Sequence, residues 1–147
     1  MALKEALMND LKAAMKEKDI IRKNTVQMVR SAILQFEKDN QKELNDEGIL
    51  EVIAKELKRR RDVLPEYEKS GREDLIKDIN REIEILLSYL PKQLTKEELE
   101  VIVADAISET GAASMRDMGK IMAAVMPKVK GRADGKMINE IAKAKLS

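Results

Sequence analysis

Residues 117–139, DMGKIMAAVMPKVKGRADGKMIN, contain two helix patterns separated by a proline and a run of basic residues. Apolar residues recur at three- and four-residue spacing as far as Met126, which predicts an amphipathic helix. Pro127 lacks a backbone N–H and disfavours helical geometry at the residue before it, so the predicted helix ends at Met126. Ser114 and Asp117, three residues apart, predict a capping box at its start.

Three cations follow this helix at alternate positions, namely Lys128, Lys130 and Arg132. An extended backbone would point all three to the same side. Gly131 is suited to a turn, and Asp134 is placed to cap the next helix. Cations just before a helix N-terminus predict a phosphate-binding site. The alternative is a solvated loop, which is the usual role of a charge run.

The composition is that of an all-α protein. The chain has 147 residues, of which 37% are charged and 2% aromatic, and its net charge of +1 means that any nucleic-acid binding depends on local patches. Cysteine and histidine are both absent, which excludes disulfides and removes the usual bases and metal ligands. No glycine-rich phosphate loop of standard spacing occurs. We therefore expect no self-contained catalytic site, no metal, no cofactor and no small-molecule substrate.

The N-terminal stretch, MALKEALMNDLKAAMKEKD, carries acids and bases throughout. It lacks the unbroken apolar segment of a signal peptide, and no later segment has the apolar length of a membrane span. From the sequence we therefore expect a cytoplasmic protein without membrane contact.

Apolar periodicity predicts four helices before residue 92, over about 3–16, 20–38, 46–69 and 73–90. Asp19 predicts the cap of the second helix, and Pro65 predicts a kink in the third. The third helix also carries a basic run, which is more typical of a solvated face than of a phosphate contact. The predicted buried face of the second helix consists of Ile21, Thr25, Met28, Val29, Ala32, Ile33 and Phe36.

Residues 90–94, LPKQL, are the predicted domain boundary, which gives domains 1–92 and 93–147. Thr95 and Glu98 predict a capping box for the next helix, and Gly111 predicts its end. With the helices after Ser114 and Asp134, this makes a small three-helix domain. From residue 115 onward eight basic residues face three acidic ones, so the end of the chain carries a net +5 and is suited to a polyanion.

Five of the nine methionines lie between residues 115 and 137. A domain of this size needs most of its apolar side chains for its own core, so we interpret them as core residues. The alternative is a surface that adapts to a partner protein, because methionine is common at such surfaces.

The segment at 117–139 resembles the end of the GatB/YqeY family, in which a sequence close to DMGK-x-M-x-x-x-MPKVKGRADG-x-x-x-N recurs. EKSGREDL at 68–75 and YLPKQL at 89–94 extend the resemblance over essentially the whole chain. The chain is similar to the C-terminal helical and tail domains of GatB, a subunit of the glutamine-dependent tRNA amidotransferase. The resemblance implies tRNA binding in translation and association with a carbon–nitrogen ligase that uses glutamine as amido-N-donor. The catalytic sites of that enzyme have no counterpart here.

The candidate partner is tRNA or another structured RNA, because few aromatic side chains are present to stack single-stranded bases. The alternative is a helical protein-interaction adaptor that uses the methionine-rich face. The candidate RNA contacts, from the family motif and from local charge, are Lys120, Lys128, Lys130, Arg132 and Lys136, with Lys58, Arg59 and Arg60 as weaker candidates. The motif residues assigned a structural role are Gly131, Asp134 and Gly135.

Overall fold

The computed structural model describes residues 2–146; the first and last residues, which the predicted domains 1–92 and 93–147 include, lie outside this range. Within it the chain is helical and contains no strand, which confirms the all-α fold class. One 3₁₀ turn occurs at Met115–Asp117. Between residues 2 and 146 the α-helices are α1 (Ala2–Glu17), α2 (Ile20–Asn40), α3 (Asp46–Ser70), α4 (Glu73–Leu87), α5 (Lys96–Thr110), α6 (Met118–Val129) and α7 (Gly135–Leu146).

The described chain divides into two compact units, one ending at Leu90 and the other beginning at Pro91. In the first unit α3 packs on α4 and α1 packs on α2. Asp19 caps α2 by accepting a hydrogen bond from the Arg22 N–H, and Asn45 caps α3 in the same way through Gly48. The buried apolar core of this unit consists of Leu7, Leu11, Val26, Val29, Ile33, Leu44, Ile49, Ile53, Leu57, Ile85, Leu86 and Leu90.

The buried face of α2 is rotated from the predicted one. Met28 and Phe36 are exposed, whereas Val26, which the prediction omitted, is buried. The prediction for these two side chains is wrong because periodicity alone fixes the face of a long helix only approximately, and packing against the other helices decides which edge is covered. The Met28 sulfur instead accepts a hydrogen bond from Arg60 Nη2 at 3.4 Å.

The second unit contains α5, α6 and α7. The Thr95 hydroxyl oxygen accepts from the Glu98 N–H at 3.1 Å, and Glu98 Oε1 accepts from the Thr95 N–H at 3.5 Å, so the predicted capping box is confirmed. Gly111 ends α5 in the left-handed conformation at φ 68°. The buried core of this unit consists of Leu99, Val103, Ala106, Ile121, Val125, Val129, Ile138, Ile141 and Ala142.

The prediction that α6 ends at Met126 is wrong, because the helix continues through Pro127 to Val129. Ile121, Val125 and Val129 follow one another at four-residue spacing, and each is fully buried. A proline in a helix interior costs about 3 kcal/mol, and burying a valine side chain returns roughly 1.5–3 kcal/mol. Packing of Val129 therefore offsets much of the local preference against helix at Pro127.

The start of α6 also differs from the prediction. The Ser114 hydroxyl caps the 3₁₀ turn by accepting from the Arg116 N–H, and α6 begins only after Asp117. The Asp117 carboxylate accepts from the Ala113 N–H at 2.9 Å, and this bond holds the pKa of Asp117 below its ordinary value. The carboxylate therefore anchors the chain before the turn.

The methionines of the second unit are only partly in its core. Met118 and Met122 are half-buried and pack against the core, whereas Met115, Met126 and Met137 are 41%, 39% and 42% exposed. The core interpretation is wrong for these three because valine and isoleucine fill the interior. In the part of the chain that the structure describes, every helix is too short or too polar to cross a membrane.

Candidate nucleic-acid interface

The predicted basic site is formed by residues 128–132, hereafter the basic segment. Lys128 and Val129 form the last turn of α6, Lys130 caps the helix, and Gly131 turns the chain at φ 75°. The expectation of an extended segment with alternating faces is therefore wrong. The cations instead follow the end of α6 around a turn towards α7.

Two candidate lysines have acidic neighbours on the surface. Lys128 Nζ lies 3.6 Å from Glu109 Oε2, and Lys120 Nζ lies 3.8 Å from Asp117 Oδ1. All but the Asp117 side chain are at least half exposed in these pairs. Exposed ion pairs are worth about 0–1 kcal/mol, so a phosphate group can replace either carboxylate at small cost.

The amides at the start of α7 are already partly satisfied. The Asp134 carboxylate accepts from the Lys136 N–H at 3.1 Å, and the Asp134 carbonyl accepts from Met137 and Ile138. A phosphate at this point would meet a carboxylate in the capping position. Any phosphate contact therefore depends on the lysine side chains of the basic segment and on Lys136, which is exposed.

Arg132 holds a segment from the other end of the unit. Its Nε donates to the Lys92 carbonyl at 3.1 Å, and its own carbonyl accepts from the Leu94 N–H at 2.9 Å. The Gln93 side-chain amide donates to the Gly131 carbonyl at 2.8 Å. The chain at residues 91–94, hereafter the junction segment, is therefore fastened along the basic segment.

Sequence reasoning missed this arrangement because its partners are 40 residues apart. Gly131 is required for its positive φ rather than for space, since a Cβ there would lie 3.9 Å from Pro91 Cδ, an ordinary contact distance. That spacing also shows Pro91 beside the turn. The signal available in the sequence was limited to the presence of LPKQL and GRADG in one chain.

The weaker candidates lie in the first unit and differ from one another. Arg60 is only 7% exposed, and its guanidinium contacts Glu56 Oε1 at 3.5 Å and Glu82 Oε1 at 3.4 Å. It therefore presents little surface to a phosphate, and its candidacy was wrong because neighbouring cations in one helix point in different directions. Lys58 and Arg59 are exposed.

Among residues 2–146, acidic side chains nowhere gather into a group of three or more that could hold a metal ion. The resolved feature of the site is thus a set of exposed lysines around a turn that Arg132 and the junction segment fix in place.

Comparison with known proteins gives a family match over nearly the whole chain. The family model described as Yqey-like protein matches residues 4–146. The altered inheritance of mitochondria protein 41, mitochondrial, of Kluyveromyces lactis is 37% identical over 108 residues, which cover 71% of this chain and 58% of that protein. The protein of the same name from Pyrenophora tritici-repentis is 28% identical over 146 residues, or 95% of this chain and 80% of that protein.

A third relative carries the tRNA connection in its name. It is a glutamyl-tRNA(Gln) amidotransferase component from Saccharolobus solfataricus, 35% identical over 113 residues, which cover 70% of this chain and 16% of that protein. The chain spans 58% and 51% of the length of the first two fungal relatives that it matches.

The expectation of a cytoplasmic protein is wrong on these comparisons, because the fungal relatives are named as mitochondrial proteins. Composition and charge pattern report on folding and solubility. They do not distinguish one aqueous compartment from another.

Proposed function

The chain belongs to the YqeY-like protein family, and from this premise we propose that it is a tRNA-binding accessory module. The binding surface is the basic segment with Lys120 and Lys136, and the ligand is the phosphate backbone of a folded RNA. The amidotransferase relative supports this proposal because its name includes glutamyl-tRNA(Gln).

The observation that carries the proposal is the charge distribution of the second unit. From residue 115 onward the net charge is +5, and Lys120, Lys128, Lys130 and Lys136 are all exposed there. Such a patch can bind a polyanion although the whole chain is nearly neutral. Binding through phosphates needs no base-stacking aromatics, and aromatic residues make up only 2% of the chain.

A role beside tRNA amidation follows from the same relative. The chain has no histidine or cysteine, so we propose that a partner enzyme performs the carbon–nitrogen ligase chemistry with glutamine as amido-N-donor. On this proposal the purified protein releases no ammonia from glutamine by itself. Ammonia release that a point substitution in this chain abolished would overturn that part of the proposal.

The test is filter binding of tRNA across a salt series. The parent is compared with the triple variant Lys128→Ala, Lys130→Ala, Lys136→Ala, which leaves Arg132 and its hydrogen bonds intact. Three phosphate contacts give a slope of log affinity against log salt of about −2 to −3, and the triple variant should lose a slope of that size.

The matched control changes three exposed cations of α3, Lys55, Lys58 and Arg59, to alanine. It removes the same charge from the first unit and should leave the slope unchanged. If the two triple variants bind with equal slopes, the basic segment is not the RNA-binding surface.

The alternative is a protein-interaction adaptor, which the three exposed methionines favour. Met137 lines an open groove of about 440 Å³ between α5 and α7, together with Ile141 and Ala144. Changing Met115, Met126 and Met137 to glutamine separates the two functions. An adaptor would lose a partner captured from RNase-treated lysate, whereas an RNA-binding module would keep its affinity for tRNA.

A further inference from the structure

We propose that Lys92 belongs to the RNA-binding surface and that Arg132 is the residue that positions it there. The inference deepens the proposed function and rests on it. It concerns a residue at the boundary between the two units, 36 positions before Lys128 in the sequence.

Three hydrogen bonds fix the junction segment against the turn. They run from Arg132 Nε to the Lys92 carbonyl at 3.1 Å, from the Leu94 N–H to the Arg132 carbonyl at 2.9 Å, and from the Gln93 amide to the Gly131 carbonyl at 2.8 Å. Bonds on three successive residues define both the position and the direction of the segment. A freely moving linker would not keep them.

This arrangement brings the Lys92 backbone into contact with the Arg132 guanidinium. The Lys92 side chain is exposed, so its ammonium group extends into solvent from the same turn that carries Lys130. A lysine four residues further on, Lys96, begins α5 and is also exposed, but it lies beside Glu100 and Glu140 in the groove between α5 and α7. The two lysines are thus equal in charge, both exposed, and different in their neighbours.

Arg132 acts through its geometry as well as its charge. Its backbone N–H donates to the Val129 carbonyl at 2.8 Å, so the same residue ties α6, the turn and the junction segment together. The Nε–H that reaches Lys92 belongs to a planar fork with five donors, which a lysine ammonium does not reproduce. Arg132→Lys therefore keeps the charge while removing the bond to Lys92.

The ligand of the enlarged surface is the phosphodiester backbone of a double-helical RNA segment. Each lysine that contacts a phosphate displaces a counterion and adds about 0.7–0.9 to the salt slope. We expect Lys92→Ala to lower the slope by one such step while the protein stays folded. Lys96→Ala should leave the slope at the parent value.

The experiment measures tRNA affinity across a salt series for the parent, Lys92→Ala, Lys96→Ala, Arg132→Lys and the double variant Arg132→Lys, Lys92→Ala. If Arg132 positions Lys92, the effect of Lys92→Ala should shrink in the Arg132→Lys background. Equal effects in both backgrounds would refute the positioning role. Circular dichroism of each variant establishes that the helices are retained.

The outcomes also separate this inference from the proposed function. An unchanged slope for Lys92→Ala, with a flattened slope for the variant at Lys128, Lys130 and Lys136, overturns the inference and leaves the proposed function standing. An equal loss at Lys92 and Lys96 also overturns it, because the effect would then be one of bulk charge. Unchanged slopes in every variant overturn both.

Discussion

Arg132 Nε and the Lys92 carbonyl oxygen are joined by a hydrogen bond of 3.1 Å across 40 residues of sequence. LPKQL at 90–94 predicts a boundary and therefore an early site of proteolysis. Instead residues 92–94 are bonded to the turn after α6. The first residues of the second unit are consequently an ordered part of its surface.

We expect Arg132→Ala and Gln93→Ala each to accelerate cleavage by trypsin after Lys92. A protease needs several residues of mobile chain, and each variant removes one bond that restrains them. The measurement is limited proteolysis at low trypsin, with the new N-terminus identified by mass spectrometry. Lys128→Ala is the control, since the Lys128 ammonium pairs with Glu109 and not with the junction segment in the described structure. Equal cleavage rates in all variants would contradict the fastening of this segment.

A second prediction concerns the buried ion cluster of the first unit. Arg60→Ala leaves the buried Glu56 carboxylate without the guanidinium that now contacts both its side chain and its backbone carbonyl. Breaking a buried pair in this way costs about 3–5 kcal/mol of unfolding free energy. Urea denaturation measures the loss.

Arg59→Ala is the matched control for this cluster. Arg59 contacts the same Glu56 at 3.1 Å, but its side chain is 77% exposed, so its removal should cost no more than about 1 kcal/mol. A similar urea midpoint for the two variants would show that burial does not decide the contribution of these arginines.

The features that the sequence predicts well are those decided within a few residues. The caps at Asp19, Asn45 and Thr95 and the left-handed end at Gly111 are short-range contacts, and all four occur. The all-α class follows for the same reason, since periodic apolar residues and helix-forming surface residues act locally.

The features that the sequence does not predict depend on distant contacts. Proline chemistry predicts an end at Met126, yet burial of Val129 extends α6. Arg60 cannot be told from its basic neighbours until α3 is packed against α4 and Glu82 comes within 3.4 Å. The fastening of Lys92 likewise has no local signature.

The extension of α6 leads to a third prediction. Val129→Ala removes two methyl groups from a fully buried site and should cost about 2 kcal/mol, while Pro127→Ala should leave stability unchanged or raise it. The reverse order in urea midpoints would mean that Pro127, and not Val129, fixes the end of the helix.

The last prediction uses the contact between Lys4 and Glu37 in the first unit. Lys4 Nζ lies 2.6 Å from Glu37 Oε2, and the same oxygen accepts from the Leu44 N–H at 2.8 Å. The Lys4 hydrogen bond, followed by the Leu44 N–H, holds the pKa of Glu37 below its ordinary value of 4.5. Because the folded pKa is the lower one, Glu37 contributes stability above about pH 4.5 and loses that contribution as the pH falls through the folded pKa.

Glu37→Gln should therefore lower the urea midpoint at pH 7, and the difference from the parent should shrink at pH 3. Lys4 stays protonated over this range, so the change with pH comes from the Glu37 carboxylate. The control is Glu66→Gln, which neutralises an exposed acid of α3 and should change the midpoint little at either pH. A difference between the parent and Glu37→Gln that is the same at both pH values would contradict the assignment, because the contribution of Glu37 would then not depend on its ionisation.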